Sequence, residues 1–154
     1  MKSPIFLPCF ITCFVIFLLA SSIFAAHFYH FQNPLTEHER IVWRTVFYIL
    51  TILLLPLTNL LRHIFLRLNQ TMPLLENANL EKTLKTRYTL TVSVSMSLIL
   101  LIGSFGSVMF YLGDGFNTLH IFNIVAGLGI FLYRPKISEY MQIQEALTEH
   151  ENDN

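Results

Sequence analysis

Four long stretches of nearly unbroken apolar residues divide this chain, and the polar positions gather between them. They run Ile5 to Ala26, Thr45 to Leu61, Leu90 to Leu112 and Phe116 to Tyr133. A helix needs about 20 apolar residues to cross a hydrocarbon core, with a working range of roughly 17–25. Backbone groups in lipid must be paired within the chain, so each stretch is expected to be helical. The expected fold is all-α: a single four-span membrane domain over residues 1–154, a four-helix bundle made of two helical hairpins. Proline removes a backbone donor and crowds the preceding turn, so the second helix should bend near Pro56.

The joints between spans carry their own signals. Thr36 followed by Glu39 forms a capping-box pattern, so the second helix should start ahead of its apolar run. Gly113, Asp114 and Gly115 predict a tight turn between the third and fourth spans. Residues 69–89 mix Leu74, Leu75, Leu80 and Leu84 with Glu76, Glu81, Lys82 and Lys85, a pattern suited to an amphipathic helix on the membrane surface. Residues 135–154 hold Glu145, Glu149, Glu151 and Asp153, and are expected to be a solvated, fraying acidic tail. Ala20-Ser21-Ser22 offers a signal-cleavage pattern, but the apolar run before it exceeds a typical signal core, so the first span is expected to be retained.

Composition supports the membrane reading, since 53% of residues are hydrophobic and only 13% charged. Charge then orients the spans. Eight of the ten basic residues (Lys2, Arg62, Arg67, Lys82, Lys85, Arg87, Arg134 and Lys136) fall on one side, and Arg40 and Arg44 on the other. Basic residues resist translocation, so both termini and the middle loop are expected in the cytoplasm, in a bacterial inner membrane. The net charge is zero and topology accounts for the basic residues, so nothing points to nucleic acid. Asn69-Gln70-Thr71 matches a glycosylation acceptor, but this orientation places it where the modification does not occur.

Residues three, four, seven or eleven apart share a helix face, and polar or small residues line up in every span. The lines are Cys9, Cys13, Ala20 and His27; then Arg44, Tyr48, Thr51, Thr58 and Arg62; then Ser93, Ser97, Ser104, Ser107 and Tyr111; then His120, Asn123 and Gly127. Small and hydroxyl residues allow close approach of membrane helices, so these lines are expected to face inward, with Ser93, Ser97, Ser104, Ser107 and Gly127 as packing residues.

The outer ends of the spans bring His27, His30, Arg44, Tyr111, Asp114, His120 and Asn123 toward one region, with Arg40, Glu37 and His38 near it. Imidazoles could ligate haem or another metal there, and the His–Arg–Tyr group could also hold a quinone. A metal site ordinarily needs three or four ligands and a second shell, and histidine at the headgroup level is also ordinary interfacial chemistry. Cys9 and Cys13 lie four apart in an apolar helix, where thiols behave as small hydrophobes rather than as a redox pair. No Asp or Glu lies inside any span, which disfavours proton-coupled export through a buried carboxylate. Gly127-Leu128-Gly129 is too short for a dinucleotide fingerprint. No catalytic set stands out. The leading expectation is therefore a non-enzymatic accessory subunit that pairs with another membrane protein or with itself. The alternatives are a haem, metal or quinone protein, and a small channel or transporter.

Overall fold

The computed structural model describes residues 6–28, 35–71 and 80–152. Among them the chain is helical throughout apart from short joints, with no strand: α1 (Phe6–Phe28), α2 (Glu37–Thr71), α3 (Leu80–Tyr111), α4 (Phe116–Tyr133) and α5 (Ile137–Asn152). The first four are long and apolar enough to cross a membrane, and each covers one of the apolar stretches to within a residue. The chain is accordingly read as a multi-pass membrane protein.

α2 starts where the capping pattern places it. The Glu39 carboxylate accepts from the Thr36 backbone N–H at 3.2 Å and from the Thr36 hydroxyl at 2.7 Å, and the Arg40 N–H closes the first turn on the Thr36 carbonyl. The helix runs through Pro56 without interruption.

α3 is the central element. α1, α2, α4 and α5 all pack on it, and α4 makes its largest contact. Val92, Met96, Ile99, Ile102 and Met109 of α3 are completely buried. Leu19 of α1 and Leu119, Phe122 and Ala126 of α4 meet them. Phe47 of α2 stacks on Phe105 of α3 at 4.8 Å between ring centroids, and Tyr48 stacks on Phe122 of α4 at 5.1 Å.

Residues 69–71 and 80–89, expected to lie in an amphipathic surface loop, are the ends of α2 and α3, while Leu74, Leu75 and Glu76 lie outside the described residues. Polar bonds hold these two ends together. The Asn69 amide donates to the Thr91 hydroxyl at 2.9 Å and to the Arg87 carbonyl, and Arg87 donates back to the Asn69 carbonyl. Asn69 is thus buried inside a helix pair, which shields its acceptor sequence from modification. The acidic tail is helical as far as Asn152, and its first half docks on α2 and α3 through Tyr140 and Ile143, which cover Leu84 and Tyr88. The Tyr88 hydroxyl fixes the α4–α5 joint by donating to the Lys136 carbonyl at 3.0 Å and accepting from the Lys136 N–H at 2.8 Å.

Three of the four aligned faces lie about one residue away from the faces that pack. Cys9, Cys13, Ala20 and His27 are exposed, while Pro8, Val15, Leu19 and Ala26 are buried. Ser97 is exposed and Ser93, Ser104 and Ser107 only partly covered, so the serine line is not the central seam of α3. Gly127 is exposed, and a Cβ added there would meet nothing within 4 Å. Close approach is carried instead by Gly103, Gly106 and Gly129. A Cβ on Gly106 would lie 3.2 Å from the Leu119 Cα, and one on Gly129 would lie 3.2 Å from Ile99. The α2 line does face inward: Thr51, Thr58 and Arg62 are buried, and Arg44 and Tyr48 partly so.

Candidate functional site

The α3–α4 turn is built by its glycine. Gly113 has a φ of 89°, the left-handed region that ends helices cheaply only without a Cβ. Its N–H bonds the Phe110 carbonyl and the next N–H, of Asp114, reaches back to Met109, the pairing of a Schellman cap. Asp114 is thereby turned beneath the start of α4, where a negative charge is favoured by the helix dipole.

Arg44 of α2 grips that carboxylate with two nitrogens. Its Nε donates to Oδ2 at 2.8 Å, and its Nη2 donates to Oδ1. Arg40, one turn earlier, donates to the Gly113 carbonyl at 2.8 Å, and the Leu35 N–H reaches the Leu112 carbonyl. Burial alone would push the Asp114 carboxyl up. The Arg44 guanidinium, the Gly115 N–H and the Thr118 hydroxyl outweigh that and hold it below the ordinary carboxylate value.

The other members of the outer cluster do not join this clamp. His27 and His120 are exposed, and each turns its Nδ1 to a carbonyl of its own helix, Ile23 at 3.1 Å and Phe116 at 2.6 Å. Their rings flank the Phe116 ring at centroid distances of 5.0 and 6.4 Å. The Asn123 amide donates to the Leu119 carbonyl, and its Oδ1 is buried without a partner among the described residues. Tyr111 is half exposed beside Phe110, and His30 lies outside the described residues. No group of three or more potential metal-ligating side chains occurs among the described residues.

A second clamp, at the opposite end of α2, was not among the sequence candidates. Arg62 is nearly fully buried, with its Nη1 donating to the Tyr133 carbonyl at 2.6 Å and its Nη2 to Glu139 at 2.6 Å and the Arg134 carbonyl at 3.4 Å. It thus holds the last carbonyls of α4, where a cation is favoured, and the first turn of α5 together. The Tyr133 ring lies 5.9 Å from the guanidinium carbon. The signal was in the spacing: Arg44 and Arg62 are 18 residues apart, five helical turns, and α4 is 18 residues long. One face of α2 therefore holds both ends of α4.

Compared with known proteins, the chain matches no protein-family model, no curated protein and no solved structure.

Proposed function

We propose that this chain is a non-enzymatic accessory subunit of the bacterial inner membrane, a four-helix bundle of two hairpins that associates laterally with another membrane protein. The observation that carries this reading is where the polar chemistry goes. Arg44, Asp114, Arg62 and Glu139, which form the two ion pairs at the ends of α4, are spent on holding that helix, so they serve the fold. What the spanning stretches themselves leave exposed is apolar and lateral. α1 is attached along one line, and Phe10, Phe14, Phe17 and Phe24 stand 53–67% exposed around the rest of it. Crowded exposed aromatics of this size mark lipid or protein contact. The basic ends of α2, α3 and α4 support a cytoplasmic placement of both termini.

Photo-crosslinking from position 17 in intact membranes tests the proposal. A single stoichiometric adduct, retained through gentle extraction, is the expected result. A monomer giving only lipid adducts from α1 would overturn it, and an adduct to a second copy of the chain would replace the partner with self-association.

The flanking of Phe116 by His27 and His120 favours a second reading, an interfacial haem or metal site. Oxidised and reduced optical spectra with metal analysis of the extracted protein test it: a Soret band or a stoichiometric metal, lost on changing both histidines to Ala, is what it requires.

A further inference from the structure

α1 and α4 touch each other only lightly, and between them a groove of about 520 Å³ runs open to the membrane. Its walls include Thr12, Ile16 and Ala20 from α1 and Gly127 and Phe131 from α4, and Arg134 lies at its mouth. Along α4 the groove extends from Asn123 to Arg134. Eleven residues at the α-helical rise amount to about 16 Å, close to the depth of one leaflet in a hydrocarbon core about 30 Å thick. The groove is long, open along its length and mostly apolar, a surface along which a hydrocarbon chain can lie. Gly127 is what keeps it open, since nothing of the protein lies within 4 Å of the Cβ position there.

The mouth carries charge. Arg134 is exposed, forms no ion pair with any described residue, and is stationed over the Phe131 ring, with its guanidinium carbon 5.1 Å from the centroid. Lys136 follows two residues later, also exposed and without an ion pair among the described residues. A cation at the headgroup level, above an apolar slot one leaflet deep, is complementary to an anionic phospholipid. We propose that the α1–α4 groove binds one anionic phospholipid, with an acyl chain along Thr12, Ala20 and Gly127 and the phosphate on Arg134.

Native mass spectrometry and thermal melting of the detergent-extracted full chain, titrated with dioleoyl phosphatidylglycerol or dioleoyl phosphatidylcholine, test this. Phosphatidylglycerol is expected to be retained at one molecule per chain, at about tenfold lower concentration than phosphatidylcholine, and to raise the melting temperature as a ligand of the folded state does. Arg134→Gln should bring the two lipids level. Gly127→Leu, which extends into open space and leaves the lipid-free melting temperature in place, should abolish retention. Equal binding of both lipids by the native chain, or undiminished phosphatidylglycerol retention by Gly127→Leu, would overturn the proposal. So would inorganic phosphate stabilising the chain as well as the lipid does, because the site would then read a phosphate and not a phospholipid.

Discussion

Two arginines on one face of α2 do different amounts of work, and their surroundings set the difference. The Arg44 side chain remains 38% exposed while Asp114 is 4% exposed, so the pair lies between the surface and buried limits, and breaking it should cost about 1–3 kcal/mol. The Arg62 side chain is 6% exposed and Glu139 15%, and truncation there strands a mostly buried carboxylate and the last carbonyls of α4. Arg62→Ala is expected to cost about 3–5 kcal/mol, and thermal melts should rank it below Arg44→Ala. Asp114 also fixes a pH dependence. Its carboxyl is held below its ordinary value in the folded chain, so its stabilisation is complete above the unfolded value of about 3.9 and fades as pH falls through the folded one. Asp114→Asn should therefore melt lower than the native chain between about pH 5 and 8, and the gap should close below about pH 4. A gap that stayed constant down to acid pH would mean the carboxylate's charge is not what holds the turn.

At the scale of the helices, inward faces were legible where charge marks them and illegible where only size does. Arg62 is costly to leave in lipid, so the α2 line could be read from its charge, and Thr51, Thr58 and Arg62 are buried as read. α1, α3 and α4 carry apolar residues all round. Lipid tails are as apolar as leucine, so hydropathy cannot choose a face, and shape decides. That is why Cys9 and Cys13 point outward while their neighbours Pro8 and Val15 are buried, and why Gly103 and Gly106 rather than the serines bring α3 against its partners. The glycines differ in what they tolerate. A Cβ on Gly106 would sit 2.9 Å from the Phe122 Cβ and 3.1 Å from the Leu119 carbonyl oxygen, whereas the tight contact of Gly103 is with a terminal methyl of Leu19 that can turn aside. Gly106→Ala should cost about 1–3 kcal/mol by prising α4 from α3, Gly103→Ala less, and Gly127→Ala nothing or a slight gain from helix propensity. Denaturation of the three variants in one detergent checks the order. The outer cluster was legible only in part for a related reason. Spacing brings its residues to one end of the spans, but it does not say that Arg44 and Asp114 will pair across 70 residues while His27 and His120 turn back onto their own helices.

For the whole molecule, topology is the property most open to a direct check. A C-terminal reporter should read cytoplasmic, and one inserted at Asn33, ahead of α2, should read external. Placing Lys or Arg into the α3–α4 turn should weaken that orientation, since in the proposed topology only Arg40 and Arg44 oppose eight basic residues on the other side. The paired clamps have a mechanical consequence. Since α2 grips α4 at points five turns apart, the two helices cannot tilt separately or slide past one another, and together they form a strut roughly 27 Å long. Membrane helices usually meet a thicker bilayer by standing more upright, and a braced pair must do so as one body. Bilayers of longer-chain lipids should therefore swing α2 and α4 through one shared angle, with Arg44 and Arg62 as the two rivets that keep them in step.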